Sequence, residues 1–558
     1  MTPNISDLCG DAVEERCDPL DELAELDALS EVSEPLRLKR YDLKRKINQF
    51  HSLIIRQLPP DVMSTIFEFC LPDFTDHQLS WTTYPEERAV ESQESSSTTP
   101  SSIPLSLGSI CSYWREIAWS TPYLWSSLVV RVPGKLDLHM ASIAQEWLAR
   151  SGQLPLSIRI FSKTDSNIYS VVSALAGIIN QYSTRWYDLD LRVPQYCYHR
   201  FHATNNHAPI LKFIRIRSPY HSEYTPRGNL KLTCPRLERA SLLFFPVIGT
   251  DIQCDNLTHL TLHVVYIEDS FRILRKMPQL VFCKVSGDNR RYNRVGALVL
   301  TSLRNLQLPT RIKSGLYEIR CLTRPFLNNI IAPHLEEFSF PNYIYYSPPM
   351  EVYYTPPMEA ITSFLRRSAC PLRSFSICFS NYPPYIERFM NLLQSMPPSL
   401  NTLSLISIRT IPIYHQHFTP DDYDPRNIWQ LVAKVLSSQN TSLQQGFLPN
   451  LKTLEFIGRF NLRPENYSDL HSLPPIDNAV HGPFHLLKLK LHGLHPATRL
   501  PKSMISYIAK LVERGVTVKV LAGTKDIVQS SVDYYRRGKE SPPVRQDWAD
   551  NLDSSLFS

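Results

Sequence analysis

One short pattern of apolar and polar positions recurs through most of the chain: apolar-x-x-apolar-x-apolar. It occurs at Trp186/Leu189/Leu191, Leu211/Ile214/Ile216, Leu237/Ala240/Leu242, Leu257/Leu260/Leu262, Leu280/Cys283/Val285 and Leu303/Leu306/Leu308. It continues at Leu335/Phe338/Phe340, Leu372/Phe375/Ile377, Leu400/Leu403/Leu405, Leu451/Leu454/Phe456 and Leu486/Leu489/Leu491. The alternating second half of each copy predicts a strand with one apolar face and one mixed face. Helical periodicity fills the later gaps, at 358–369, 384–396 and 427–437. A last alternating run, 516–520, gives way to a polar tail from 522 that we expect to be loose.

The first six copies start 20 to 26 residues apart, the spacing of a leucine-rich repeat. A single strand-plus-return unit cannot bury its own apolar edge, so neighbours must stack. The Asn or Cys usual after the third apolar position is mostly missing, and later gaps are longer. The expected fold is therefore α/β: a small helical module, then an irregular leucine-rich-repeat-like α/β solenoid over 131–521. A doubly wound sheet also alternates strands and helices. Near-constant early spacing and the lack of a glycine-rich strand-to-helix turn argue against it.

The first 130 residues have a different pattern. Residues 1–35 are acidic and aperiodic, as in a disordered lead-in. In 36–57, Leu43, Ile47, Phe50 and Ile54 form one stripe of an amphipathic helix, packed on the neighbouring helical module or forming a short coiled-coil seam. At Leu58-Pro59-Pro60-Asp61-Val62 the prolines stand where a helix begins, and Val62, Ile66 and Phe67 supply an apolar face. Residues 76–103, acidic and then Ser/Thr-rich, predict a disordered insertion. Helical spacing resumes with Ile110, Cys111, Trp114 and Ile117 and ends before Pro122. Cys70 and Cys111 fall at apolar helical positions and read as buried.

Composition narrows the function. A 43% hydrophobic share is globular, and a net charge of +6 over 558 residues is too mild for a dedicated nucleic-acid surface. There are 17 Gly against 44 Pro, with no GxGxxG or GxxxxGK[ST] phosphate loop. Eleven scattered cysteines contain no CxxC. The start carries no apolar signal core, and no run of about 18 apolar residues could span a bilayer. A cytoplasmic or nuclear protein with reduced thiols, off the membrane, is expected.

Two segments carry a family resemblance. Leu-Pro-x-Asp-Val-x-x-x-Ile-Phe-x-x-Cys at 58–70 and Cys-x-x-Trp-Arg-x-Ile-Ala-x-x-Thr-Pro-x-Leu-Trp at 111–125 resemble the two halves of an F-box. The resemblance is to the large F-box families of mushroom-type fungi, and extends into the Trp147–Leu156 segment. It places an F-box over 54–130, interrupted by the insertion at 76–103. It implies a substrate-recognition subunit of a Skp–cullin–F-box ubiquitin ligase. The box would dock on a Skp-type adaptor, and through it a cullin–RING scaffold, using Leu58, Pro59, Val62, Ile66 and Phe67. Trp114 and Trp125 serve mainly the module's own core, or else that interface. A scaffold that does not join a ligase is the alternative.

No catalytic constellation is found: no GxSxG, HExxH or Ser–Lys signature, and no cofactor is implied. His415, His417, Asp421, Asp422 and Asp424 could supply metal ligands, but nothing fixes a second shell and a solvated loop explains them better. The protein is expected not to be an enzyme. Its substrate would be a protein, held on the strand face opposite the core. There Phe213, Arg215, Arg217, Arg239, His259, His263, Phe282 and Lys284 form an expected cationic patch for an acidic or phosphorylated peptide, with acidic Asp188, Asp190 and Glu337 bounding it. The competing explanation is a face kept soluble by ordinary surface charges.

Overall fold

Every one of the eleven apolar hexapeptides contributes its second half, wholly or in part, to a strand of parallel sheet. The computed structural model describes residues 38–44, 46, 58–71, 103–132, 139–162, 168–217, 230–243, 251–264, 267–287, 296–308, 310–312, 323–340, 342–344, 357–379, 383–407, 448–458, 484–491, 499–500, 502–513 and 515–537. The chain divides between Leu257 and Thr258 into two units.

In the first unit, α1 (Pro60–Phe69), α2 (Ile103–Ile110) and α3 (Ser112–Ser120) precede the sheet. Its strands are β1 (Ser127–Val132), β2 (Leu156–Ser162), β3 (Trp186–Arg192), β4 (Phe213–Arg217) and β5 (Arg239–Leu243). Helix α4 (His139–Arg150) follows β1 and α5 (Tyr169–Gln181) follows β2. All five strands are parallel and neighbour one another in chain order. Alternation sets their faces: on β2, Leu156, Ile158 and Ile160 are buried, while Ser157, Arg159 and Phe161 face the other way and are half-exposed. Buried indoles tie helices to strands. Trp186 donates from Nε1 to the Ile179 carbonyl at 3.2 Å, and Trp147 to that of Ser127 at 3.1 Å.

The second unit has β6 (His259–Val264), α6 (Ile267–Leu274), β7 (Phe282–Gly287), β8 (Asn305–Gln307), α7 (Thr323–Asn329), β9 (Glu337–Phe340), α8 (Met358–Ser368), β10 (Ser374–Phe379), α9 (Pro383–Gln394), β11 (Thr402–Ser407), β12 (Thr453–Gly458) and β13 (Leu486–Leu491). It ends with α10 (Lys502–Glu513), β14 (Thr517–Ala522), β15 (Lys525–Asp526) and α11 (Val528–Arg536). Strands β6 to β14 are parallel and in chain order; among the described strands only β15 runs antiparallel. In neither unit does the strand order reverse, as a doubly wound sheet would require.

A second signal accompanies each strand. Three residues before the first apolar position of most copies, a carbonyl accepts the N–H of that position in a tight turn: Cys234 to Leu237 at 3.1 Å, Met277 to Leu280 at 3.3 Å, Ala332 to Leu335 at 3.3 Å, Leu448 to Leu451 at 3.1 Å. Proline follows at Pro235, Pro278, Pro333 and Pro449, where a fixed φ suits the second turn position. Just after the first apolar residue, one carbonyl accepts two N–H groups from the next copy. Lys212 takes those of Glu238 and Arg239, at 3.0 and 3.1 Å, and Val281 those of Arg304 and Asn305, at 2.9 and 3.0 Å.

Several expectations change. The sheet starts at Ser127, not 131, inside the stretch assigned to the F-box. The frame of the last hexapeptide moves by two: Leu454 pairs with Leu487, so the buried set is Phe484, Leu487 and Leu489, while Leu486 is half-exposed. Past residue 522 the chain is not loose but folds into β15 and α11, where Tyr535 donates to the Leu500 carbonyl at 3.1 Å and buried Ser531 accepts from the Leu500 N–H at 3.0 Å. Cys70 is exposed and Cys111 half-buried, where its sulfur caps α3 by accepting from the Trp114 N–H. The helices expected at 358–369 and 384–396 are α8 and α9. Of the 36–57 stripe, Leu43 lies on a helix and is buried, while Ile47, Phe50 and Ile54 lie outside the described residues, as do 1–35, 427–437 and all of the insertion 76–103 but Ile103, which opens α2.

Candidate functional site

Helix α1 carries two apolar stripes. Its start is built by Pro59, whose carbonyl accepts the Met63 N–H at 3.1 Å, and by Pro60, which needs no hydrogen-bond partner for its nitrogen. Met63 and Phe67, one turn apart, are both buried, and the Phe67 ring packs on Trp114 with centroids 5.0 Å apart. Thr121 joins the same junction: its hydroxyl donates to the Ile117 carbonyl at 2.7 Å and lies 3.0 Å from the Ser64 hydroxyl. Helices α2 and α3 approach closely at Gly108, where an added Cβ would sit 3.5 Å from the Arg115 side chain. Trp125 closes the base by donating to the Ala118 carbonyl at 2.7 Å, with Trp147 edge-on at 4.6 Å.

The other stripe of α1 faces outward. Pro59, Val62, Ile66 and Phe69 recur at steps of three and four, and all four are exposed, Phe69 by 85%. Leu58 is half-buried beside them. Leu105, Ile110, Trp119 and Tyr123 on the following elements are also exposed. Of the five residues expected to meet an adaptor, Phe67 is therefore corrected. It turns into the module because it lies on the Met63 side of the helix, and Phe69 takes the outward place. The 59/62/66/69 spacing carries that signal; Phe67 and Val62, expected to share one face, lie about 140° apart around a helix.

The outward strand faces of the two units are the second candidate. In the first unit, Phe213, Arg215, Arg217 and Arg239 do share that face. Phe213 is buried, with Tyr187 edge-on at 5.6 Å and the Arg239 guanidinium over its ring at 5.9 Å. Asp188 and Asp190 do not bound this face; they sit among its arginines. Asp190 is buried between Arg215, 3.1 Å away, and Arg192, 3.5 Å away, and Asp188 lies 3.8 Å from Arg159. Burial works hardest against the Asp190 charge, yet Arg192, Arg215 and Arg159 together hold its pKa below the ordinary carboxylate value. Burial wins at Asp188, whose pKa is pushed up to about 6 against the pull of Arg159.

In the second unit, His259 stacks on Phe282 with centroids 5.6 Å apart. The His263 side chain lies outside the described residues. Lys284 is corrected: only 1% of it is exposed, and burial lowers its pKa to about 8, so it is not part of an open cationic patch. Thr261 and Ser286 on the same face are buried as well, and so is Phe282. Farther along, Glu455 on β12 lies 3.2 and 2.9 Å from Lys488 and Lys490 of β13. Glu337 is exposed and accepts a hydrogen bond from Asn305. The eight expected residues thus fall four in each unit, on faces of different character.

Among the described residues no three His, Cys, Asp or Glu side chains gather closely enough to hold a metal ion. His415, His417, Asp421, Asp422 and Asp424 lie outside those residues. None of the described helices is long and apolar enough to cross a membrane. No family model matches the chain, and no curated protein matches it.

Proposed function

We propose that this chain is the substrate-recognition subunit of a Skp–cullin–F-box ubiquitin ligase. The observation that carries the proposal is the outward stripe Pro59, Val62, Ile66 and Phe69 on a helix whose opposite stripe is already packed. Water-facing apolar rows of this kind are costly for a lone module and suit a partner's groove. On this assignment α1 to α3 form the F-box, and Leu58, Pro59, Val62, Ile66 and Phe69 meet the Skp-type adaptor. The repeated strands beyond the box act as a leucine-rich-repeat-like solenoid presenting a protein substrate. Ubiquitin transfer would then result from proximity, with no catalytic residue supplied by this chain.

The test is co-purification of the full chain with a Skp-type adaptor, wild type against a V62E/I66E variant. The expected result is stoichiometric capture by wild type and at least a hundredfold weaker capture by the variant, with a circular dichroism melt unchanged because both side chains already face water. Failure of wild type to capture the adaptor, or equal capture by the variant, overturns the proposal.

A further inference from the structure

The repeat brings two cysteines together. Cys234 and Cys254 each stand three residues before the first apolar position of a copy, Leu237 and Leu257, and the two copies are consecutive. At the same place other copies carry Ala208, Met277, Leu300 and Ala332, all buried, so the position takes small or apolar side chains. Stacking sets equivalent positions of neighbouring copies side by side. Here that yields a pair of thiols.

A separate two-stranded parallel ribbon fixes their geometry. Lys231–Thr233 pairs with Asp251–Gln253 in the register Lys231 to Asp251, Leu232 to Ile252 and Thr233 to Gln253. Cys234 and Cys254 follow on the next rung, and the Cys234 N–H donates to the Gln253 carbonyl at 2.8 Å. Alternation gives both thiols one side: Leu232, Cys234, Ile252 and Cys254 are buried, whereas Lys231 and Gln253 are exposed. Neighbouring strands lie about 4.8 Å apart. A disulfide needs Cα atoms about 4.4–6.8 Å apart, so the rung spacing suits one with no change of register. The two sulfurs differ in access. Cys234 is fully buried, and Cys254 is 6% exposed. Burial, with the neighbouring Cys254 adding to it, pushes the Cys234 pKa up to about 12.

We propose that Cys234 and Cys254 are a redox-sensitive pair that closes to a disulfide, with a low-molecular-weight disulfide such as oxidised glutathione as the oxidant. Cys254 gives up its proton, and its thiolate attacks one sulfur of the oxidant, forming a mixed disulfide and releasing one reduced thiol. Cys234 then gives up its proton and attacks the Cys254 sulfur, releasing the second reduced thiol. The two protein thiols lose two electrons and two protons, and the oxidant takes them up to become two thiols. The raised pKa of Cys234 makes the second step the slow one, because only a thiolate attacks. Once closed, the bond ties two consecutive copies together across their ribbon. The pair stands whether or not the chain joins a ligase.

The experiment equilibrates the native full chain in glutathione buffers stepped from reducing to oxidising, then quenches with acid, alkylates and maps peptides without reduction. Wild type should show a linked Cys234–Cys254 peptide pair that dithiothreitol reopens, while buried Cys197, Cys283 and Cys370 remain thiols. Hydrogen exchange at the Leu232–Cys234 and Ile252–Cys254 amides should slow at least tenfold in the oxidised form. Alanine already occupies this place at Ala208 and Ala332, so C234A and C254A keep the fold. C234A, which lacks the resolving thiol, should collect a glutathione adduct on Cys254, and C254A should leave Cys234 unmodified. Two unmodified thiols in the most oxidising buffer would make Cys234 and Cys254 merely small buried side chains and overturn the proposal. Linkage of either one to a different cysteine in equal yield overturns it too, as does an adduct that collects on Cys234 rather than on Cys254.

Discussion

The outward strand faces of the two units are built from the same strand positions, yet at Asp190 and Lys284 they treat charge in opposite ways. In the first unit a carboxylate is brought in beside the cations: Asp190 on β3 is buried, with Arg215 of β4 and Arg192 of its own strand within 3.5 Å. In the second unit Lys284 on β7 is carried into the interior, with Thr261 and Gln307 as its register partners on the adjoining strands. The arginines keep the buried Asp190 carboxylate ionised, whereas desolvation by burial pushes the Lys284 amine toward neutrality. One face therefore keeps its buried charge, and the other stores a titratable amine.

Removing the carboxylate from the first face should have the largest effect. Asp190→Ala leaves two arginines facing each other with no anion between them, and we expect a loss of about 3 kcal/mol. Hydrogen exchange of the β3 and β4 amides, read as the free energy of local opening, would measure it. Unchanged protection would erase the distinction between the faces.

Lys284 gives the next effect, and it has a sign. Its folded pKa, about 8, lies below the value near 10.5 of an unfolded lysine. Between those values the unfolded chain binds more protons, so this group's contribution to stability rises with pH. Between pH 7 and 9.5 the gain should be about 2 kcal/mol in wild type and absent in Lys284→Met. Rising pH also ionises thiols in the unfolded chain while burial pushes up the pKa of Cys283, which weakens the fold. The quantity to compare is thus the difference between wild type and variant in urea midpoints across that range. A difference that does not change with pH would mean Lys284 titrates as in water.

Glu455 supplies the smallest effect. It mirrors Asp190 in lying near two cations, but Lys490 is 39% exposed and the group is more open to solvent. Screening limits the pair, and Glu455→Gln should cost about 1 kcal/mol or less. A cost equal to that of Asp190→Ala would show that solvent access does not separate the two settings.

The inner faces are legible in the sequence because they are made of one kind of residue. Leu260, Cys283, Leu306, Phe338, Phe375, Leu403 and Leu454 align across seven consecutive strands, and each belongs to a copy of the hexapeptide. The frame is ambiguous at β13 because Leu486, Leu487, Leu489 and Leu491 fit two registers, and only pairing with β12 selects one. The outward faces are far less legible. Alternation assigns Arg217 and Lys284 the same side, but it cannot tell that one is half-exposed and the other buried, since that depends on the groups packed against each. On α1 the difficulty is angular: Phe67 and Phe69 are both apolar, the 59/62/66/69 spacing puts them on different faces, and the packing of Trp114 on Phe67 shows which face is inside.

The doubly shared carbonyl between successive copies has a consequence for how this chain can change. Thr402 pairs with Thr453, and His259 pairs with Phe282. These offsets differ more than twofold, yet the partners occupy the same rung. Val281 accepts the N–H groups of Arg304 and Asn305, and Asn401 those of Lys452 and Thr453. Pitch is thus fixed locally by two amides and one oxygen, while the length of the returning segment is a free variable. Insertions and deletions there can accumulate without disturbing the register of any strand, so new connecting segments can be tried one copy at a time while the sheet they spring from stays the same.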